Sequence, residues 1–329
     1  MSGIKLVLVA VAAAAAVTVS AVGASRPSAS PKQSCFGAAA RDPHRSCTNR
    51  DLELAVVPTP AEARGRPNSP CTIVERHGAF RVCAFGVTGS KATGTIALLG
   101  DSHAAHWRAA LEVVATHERW GGLSLTLSGC PFSTATRVLR EPLRGDCARR
   151  NRLVPQWFER HPEISTVFVS ELSGAHWLLP PGGDAFDAEV AAYTDAWNEL
   201  PASVRHIVVI RDSPKDRPGT QACIQRAIAA RRPAGRVCAV PRDTAIDRDA
   251  AAVAADRLPS GRAQVLDLNR FFCSERWCYP IVGGALVHKD EHHLTATFVR
   301  TLGPYLLDDV ERLMAGSQTS AGGPRSQSD

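Results

Sequence analysis

Residues 95–103 read Thr95-Ile96-Ala97-Leu98-Leu99-Gly100-Asp101-Ser102-His103. An apolar run stops abruptly at a glycine, an acid, a serine and a histidine. That is the pattern of a buried strand ending in a tight loop that presents a hydroxyl. Gly100 permits the sharp turn. With a helix expected over Ala104–His117, Ser102 falls at its N-terminus, where unpaired N–H groups and the helix dipole favour developing negative charge. The plainer reading of Asp101 or Ser102 is an N-cap.

Working outward, further short runs rich in Val, Ile and Leu predict strands over Leu123–Ser128, Ser165–Ser170, His206–Arg211 and Gln264–Leu268. Helices are expected between and after them, over Ala148–Arg160 (kinked at Pro155), Phe186–Leu200, Thr244–Arg257 and Ala296–Met314. Such alternation predicts an α/β fold with a parallel sheet and helices on both faces. Functional groups in these folds collect at the carboxyl ends of the strands, where Ser102 lies.

Far downstream, Asp290-Glu291-His292-His293-Leu294 supplies an acid and an imidazole three positions apart, just before the last expected helix. Serine, a histidine base and an orienting aspartate are the side chains that turn a hydroxyl into a nucleophile. His293 is the expected base, because the apolar Leu294 beside it can anchor it; His292 is the competing neighbour, and Glu291 is expected in solvent. Taken alone, the segment reads better as a capping acid and a solvated histidine; its co-occurrence with the serine block in one α/β pattern reverses that reading. His103 and His106, three apart on the first helix, are expected to pack or make polar contacts at the pocket rim rather than bind a metal. Gly129, after the second strand, is placed to offer a backbone N–H to an oxyanion together with that of Ser102. Ser173, after the third strand, is a further candidate donor.

Lys5 precedes an apolar stretch from Leu6 to Val22, and Val22-Gly23-Ala24 offers a small-residue cleavage site. Residues 1–24 therefore read as a signal peptide, with an uncleaved anchor as the alternative, and the bulk of the chain as exported. Ten cysteines fall into consecutive close pairs, which suits an oxidising compartment. The simplest of many connectivities joins Cys35 to Cys47, Cys71 to Cys83, Cys130 to Cys147, Cys223 to Cys238 and Cys273 to Cys278. Residues 25–34 read as a linker, 35–93 as a disulfide-stapled extension, 94–315 as the main domain and 316–329 as a disordered tail. The net charge of +6 comes from scattered basic residues without interleaved aromatics, which gives no support to a nucleic-acid partner.

Three blocks carry a family resemblance: Leu98-Leu99-Gly100-Asp101-Ser102-His103-Ala104, Ser128-Gly129-Cys130-Pro131 and Asp290-Glu291-His292-His293-Leu294. Together they resemble the SGNH (GDSL-like) hydrolase superfamily, and more narrowly its extracytoplasmic domain type associated with acyltransferase-3 membrane proteins. The resemblance covers about residues 95–314. It implies a three-layer, flavodoxin-like α/β/α sandwich with a five-stranded parallel sheet, and ester chemistry without metal or cofactor. It also implies Ser102 as nucleophile, His293 as base, Asp290 as its partner and Gly129 as oxyanion glycine. At the third block the superfamily carries an asparagine; this chain has Ser170 and Ser173 instead. The expected function is that of an exported serine-dependent O-acyl esterase or O-acyltransferase acting on an envelope polysaccharide or other acylated glycan. A transferase would need an acyl donor from a separate membrane acyltransferase. The alternative is a non-catalytic glycan-binding or scaffold module with a degenerate site.

Overall fold

The computed structural model describes residues 35–45, 47–67, 71–78, 80–178, 184–258 and 261–321. The expected signal segment 1–24 and linker 25–34 lie outside them, as do residues 322–329 of the expected tail. The main sheet is built from β1 (Thr72–His77), β2 (Phe80–Gly86), β3 (Gly94–Gly100), β4 (Trp120–Thr126), β5 (Ile164–Ser170), β6 (His206–Ile210) and β7 (Ala263–Leu266). Its spatial order is β1-β2-β4-β3-β5-β6-β7. The five strands β4, β3, β5, β6 and β7 run parallel, with Gly100 level with Thr126 on one side and Ser170 on the other. Strands β1 and β2 continue the sheet antiparallel at the β4 edge.

Period-two alternation divides the parallel strands between two cores. Ile96, Leu98, Phe168, Val208 and Ile210 face one side, against Trp107 and Leu111 of α1 (Ser102–Glu118) and Phe298 and Leu302 of the C-terminal helix. Ala97, Leu99, Val167, Val169, Ile207 and Val209 face the other. There they meet Val154 and Trp157 of α2 (Leu143–Glu159), Tyr193 and Trp197 of α3 (Ala185–Asn198), and Ala251 and Ala254 of α5 (Ala250–Arg257). Two further long helices are α4 (Thr220–Ala229) and α6 (Ala296–Ala321). Full burial of a side chain such as Leu98 or Leu99 contributes about 1.5–3 kcal/mol, so strands buried on both faces fix the sheet strongly. Among the described residues, no helix is long and apolar enough to cross a membrane.

Four features differ from the sequence reading. The Cys-containing extension is not an appendage, because β1 and β2 join the sheet, with Phe80 and Val82 in its core and the Trp157 indole donating to Glu75 at 2.8 Å. The helix expected over residues 244–257 is two: one turn at Arg242–Ala245, then α5, whose start is fixed by Asp249 accepting from the Ala252 N–H. The C-terminal helix continues to Ala321, past the expected start of the tail. Helix α4 was not expected at all. Disulfides join Cys35–Cys47, Cys71–Cys83, Cys130–Cys147, Cys223–Cys238 and Cys273–Cys278.

The chain leaves β3 toward β4 on one side and later returns to β5 on the other. The carboxyl end of β3 is therefore the point where the strand order reverses, the place where such sheets hold ligands. Ser102 begins α1 there.

Candidate active site

Gly100 turns the chain out of β3 with φ +143°, and a Cβ at that position would lie 2.3 Å from the Ser170 carbonyl of the neighbouring strand. Only glycine fits so close a backbone approach. Asp101 then caps α1 by accepting from the His103 N–H at 2.7 Å, while its second oxygen accepts from Arg137 Nη1 at 3.1 Å and Leu172 N–H at 3.3 Å. The capping role belongs to Asp101, and the next residue, Ser102, faces the loop carrying His293.

His293 Nε2 lies 2.9 Å from Ser102 Oγ, and its Nδ1 lies 2.8 Å from Asp290 Oδ2. The other Asp290 oxygen accepts the N–H groups of His292 and His293 at 3.0 and 2.7 Å. Partial burial would raise the Asp290 carboxyl. The hydrogen bonds from the His293 ring and from these two amides outweigh it and hold the group well below the usual carboxylate range. The acid thus stays ionised and fixes His293 with Nε2 turned to the hydroxyl, the arrangement in which an imidazole can take a serine proton. Ser102 is 8% exposed, whereas Glu291 is in solvent.

The loop after β4 is tied to the same strand end. Leu127 N–H donates to the Gly100 carbonyl at 3.1 Å, and Arg137 reaches both Asp101 and the Gly129 carbonyl. Gly129 itself has φ +73°, a conformation that favours glycine. Beneath them the buried Arg150 donates to the Gly100 and Leu125 carbonyls. Burial pulls its guanidinium down to about 10, so it keeps its charge at neutral pH. Beside it, burial and the Asp101 charge push the Glu171 carboxyl well up.

Two expectations need correction. Ser173 is no oxyanion donor, because both its N–H and its hydroxyl donate to Asp212 Oδ2, at 2.8 and 2.7 Å. His103 is not at a pocket rim but fully buried, with Nδ1 2.5 Å from Asp212 Oδ1 and Nε2 2.9 Å from His292 Nδ1. His106 is buried too and accepts from the Leu294 N–H at 3.5 Å. The sequence reading missed Asp212, the centre of this second network. Its signal was an acid placed after the apolar run of β6, at the same sheet edge as Ser102. Four of the chain's 11 histidines, His103, His106, His292 and His293, thus pack against one another, and His293 among them meets the Ser102 hydroxyl.

Their titration is displaced in opposite directions. Burial, then the neighbouring His103 and His293 charges, pull His292 down to about 4, and burial with four nearby histidines holds His106 well below its ordinary value. Burial would lower His103 as well, but the Asp212 charge and hydrogen bond outweigh it and raise this ring. For Asp212, burial is outweighed by His103 and Ser173, and the carboxyl is lowered.

An unfolded histidine takes up its proton near pH 6.5, before His292 and His106 do, so stability falls from about pH 6.5 down to about 4 for His292. The stabilisation from Asp290 and Asp212 is full above about pH 3.9 and lost as pH falls through their lower folded values. His103 acts oppositely: its contribution is full below about pH 6.5 and fades as pH rises through its raised value. Over the same range the raised carboxyls of Glu171, Glu189 and Asp249 act in the same direction as His103, gaining stability as they take up protons. The lowered His292 is therefore read by difference: from about pH 6.5 down to about 4 the urea midpoint of the wild type should fall relative to that of His292→Ala, and a constant gap would contradict the assignment.

The fold and the Ser102–His293–Asp290 chain define a three-layer α/β/α protein with a serine at its topological switch point. Residues 70–308 match the family described as SGNH domain (fused to AT3 domains), and the chain belongs to that family. The match begins at residue 70, in keeping with strands β1 and β2 being part of the domain. Among solved structures, the periplasmic domain of a lipopolysaccharide acetyltransferase from Salmonella ser. Paratyphi A is similar in fold. It is 13% identical with a TM-score of 0.52, covering 68% of this chain and 85% of that one. No curated protein matches the chain.

Proposed function

We propose that the protein is an exported serine-dependent O-acyl esterase or O-acyltransferase that acts on a cell-envelope glycan through an acyl-serine intermediate. The observation that carries this reading is the continuous hydrogen-bonded chain from Ser102 through His293 to Asp290. Family membership and the acetyltransferase periplasmic domain of like fold support acyl transfer as the reaction class. The signal-like N-terminus and the five disulfides support an extracytoplasmic setting. In a family described as fused to AT3 domains, a membrane acyltransferase is the natural source of the acyl group.

His293 Nε2 takes the Ser102 proton as Oγ attacks the acyl carbonyl. The carbonyl oxygen gains the negative charge, held by the N–H groups of Ser102 and Gly129. When the carbonyl re-forms, the bond to the departing oxygen breaks and that oxygen takes the proton from His293. Water or a sugar hydroxyl then gives its proton to His293, attacks the acyl-serine and releases Oγ, which regains the proton. The loop after β5 supplies support rather than a third oxyanion donor: Leu172 N–H holds Asp101 and Ser173 holds Asp212.

Mass spectrometry of the whole chain after mixing with p-nitrophenyl acetate tests the reading. One acetyl group should appear on the peptide containing Ser102 and disappear on adding an acceptor alcohol or on longer exposure to water. A peptide that stays unmodified at every time point, with no release of nitrophenol, would favour the non-catalytic glycan-binding alternative.

A further inference from the structure

The second network around His103 has no part in the acyl-serine steps, yet it places more imidazole nitrogens beside Ser102 than a single base requires. One ring nitrogen from each of His103, His292 and His293 lies within 4.8 Å of the others. His103 Nε2 and His292 Nδ1 face each other at 2.9 Å. Nitrogens bound to one tetrahedral zinc ion at its usual bond length stand about 3.4 Å apart. An ion entering between them therefore needs only a small separation of the rings, and His292, half-buried and on a loop, can supply it.

The surroundings match those of a metal ligand set. A metal-bound histidine usually donates its other ring nitrogen to a carboxylate, which orients the ring and raises its basicity. His103 Nδ1 does so to Asp212 at 2.5 Å, and His293 Nδ1 to Asp290 at 2.8 Å. Two anions thus stand behind the cluster to balance a dication. Ser102 Oγ, 2.9 Å from His293 Nε2, is placed as an oxygen ligand for the fourth position. By contrast, the other group of possible ligands among the described residues, His117, Glu118 and Glu311, lies at the surface, and its histidine side chain is 57% exposed.

We propose that His103, His292 and His293, with Ser102 Oγ in the fourth position, form a binding site for a divalent transition-metal ion of the zinc class, and that its occupancy blocks Ser102 chemistry. Zinc suits three imidazoles and an oxygen in a tetrahedron. The bound ion occupies the His293 lone pair that would take the serine proton and displaces the proton between His103 and His292 to solvent. The ion is thus an inhibitor, not a cofactor. The blocking half of the proposal rests on the acyl-serine reading; the binding half does not.

The full chain, stripped with a chelator, is dialysed against zinc chloride and its metal content measured; cobalt(II) replaces zinc for visible spectroscopy. We expect one zinc per chain and the intense visible bands of tetrahedral cobalt. His292→Ala should weaken binding by at least about 100-fold, with an unchanged circular dichroism spectrum showing that it folds. His117→Ala should bind as the wild type does. No stoichiometric zinc, binding indifferent to His292→Ala, or binding lost in His117→Ala would each overturn the site. Fluorophosphonate labelling of Ser102 should stop at saturating zinc and return with EDTA; labelling that persists at saturation would overturn the blocking role. Absence of labelling in metal-free protein would count against the acyl-serine reading, while dialysis would still decide the metal site.

Discussion

Replacing Ser102 by alanine should lower acetyl-ester turnover by about 10,000-fold or more and abolish labelling by a fluorophosphonate probe. The magnitude follows from how a nucleophile and its base act as one unit: once the attacking oxygen is gone, His293 has no proton to take, and only carbonyl polarisation by the loop remains. The substitution removes one oxygen from a side chain at the first position of α1, and Asp101, not Ser102, caps that helix. Stability should therefore change little, so a large loss of turnover with an unchanged urea midpoint separates chemistry from folding. Turnover within tenfold of wild type would sink the acyl-serine reading, wherever the residual activity arose.

Asp212→Ala should cost about 3–5 kcal/mol of stability, because losing the carboxylate strands several buried donors, each costing about 1–3 kcal/mol when left unmade. Asp212 accepts from the His103 ring, the Ser173 N–H and hydroxyl, and the Ser213 N–H. Alanine would leave all these donors buried without a partner, with no water able to reach them easily. The His103 ring would also lose the charge that raises it and would titrate lower. Asp212→Asn keeps the shape and one acceptor oxygen, so its cost should be clearly smaller. Urea unfolding of both variants at pH 7 checks the order. A loss below about 1 kcal/mol for the alanine variant would show that Asp212 does not hold His103.

The parallel sheet was legible because β3, β5 and β6 are buried on both faces and so read as unbroken apolar runs. The edge pair was not. In β1 the apolar Ile73 and Val74 are consecutive and 40% and 56% exposed, and the register shifts between Ile73 and Glu75. No alternating face survives for a sequence pattern to show. Helix α5 was joined to the turn before it because 244–257 is rich in alanine. The break at Asp249 answers to a tertiary demand, since its carboxylate also accepts the Asp212 N–H at 2.9 Å. At the site, the spacing of Asp290 and His293 was visible because both partners sit on one short loop. Asp212 and His103 are 109 residues apart, and only the sheet brings the end of β6 within reach of the end of β3, across β5. The buried role of His103 could not be read from a helix position that looks like any other first turn.

Each disulfide closes a short stretch, from 5 to 17 residues of separation, and always joins a cysteine to the next one along the chain. When such a polypeptide enters an oxidising compartment N-terminus first and each pair closes as it emerges, every cysteine meets its correct partner before any other unpaired cysteine has arrived. Order of emergence alone selects the native connectivity, and the cross-links can close behind the translocating chain with little need for shuffling.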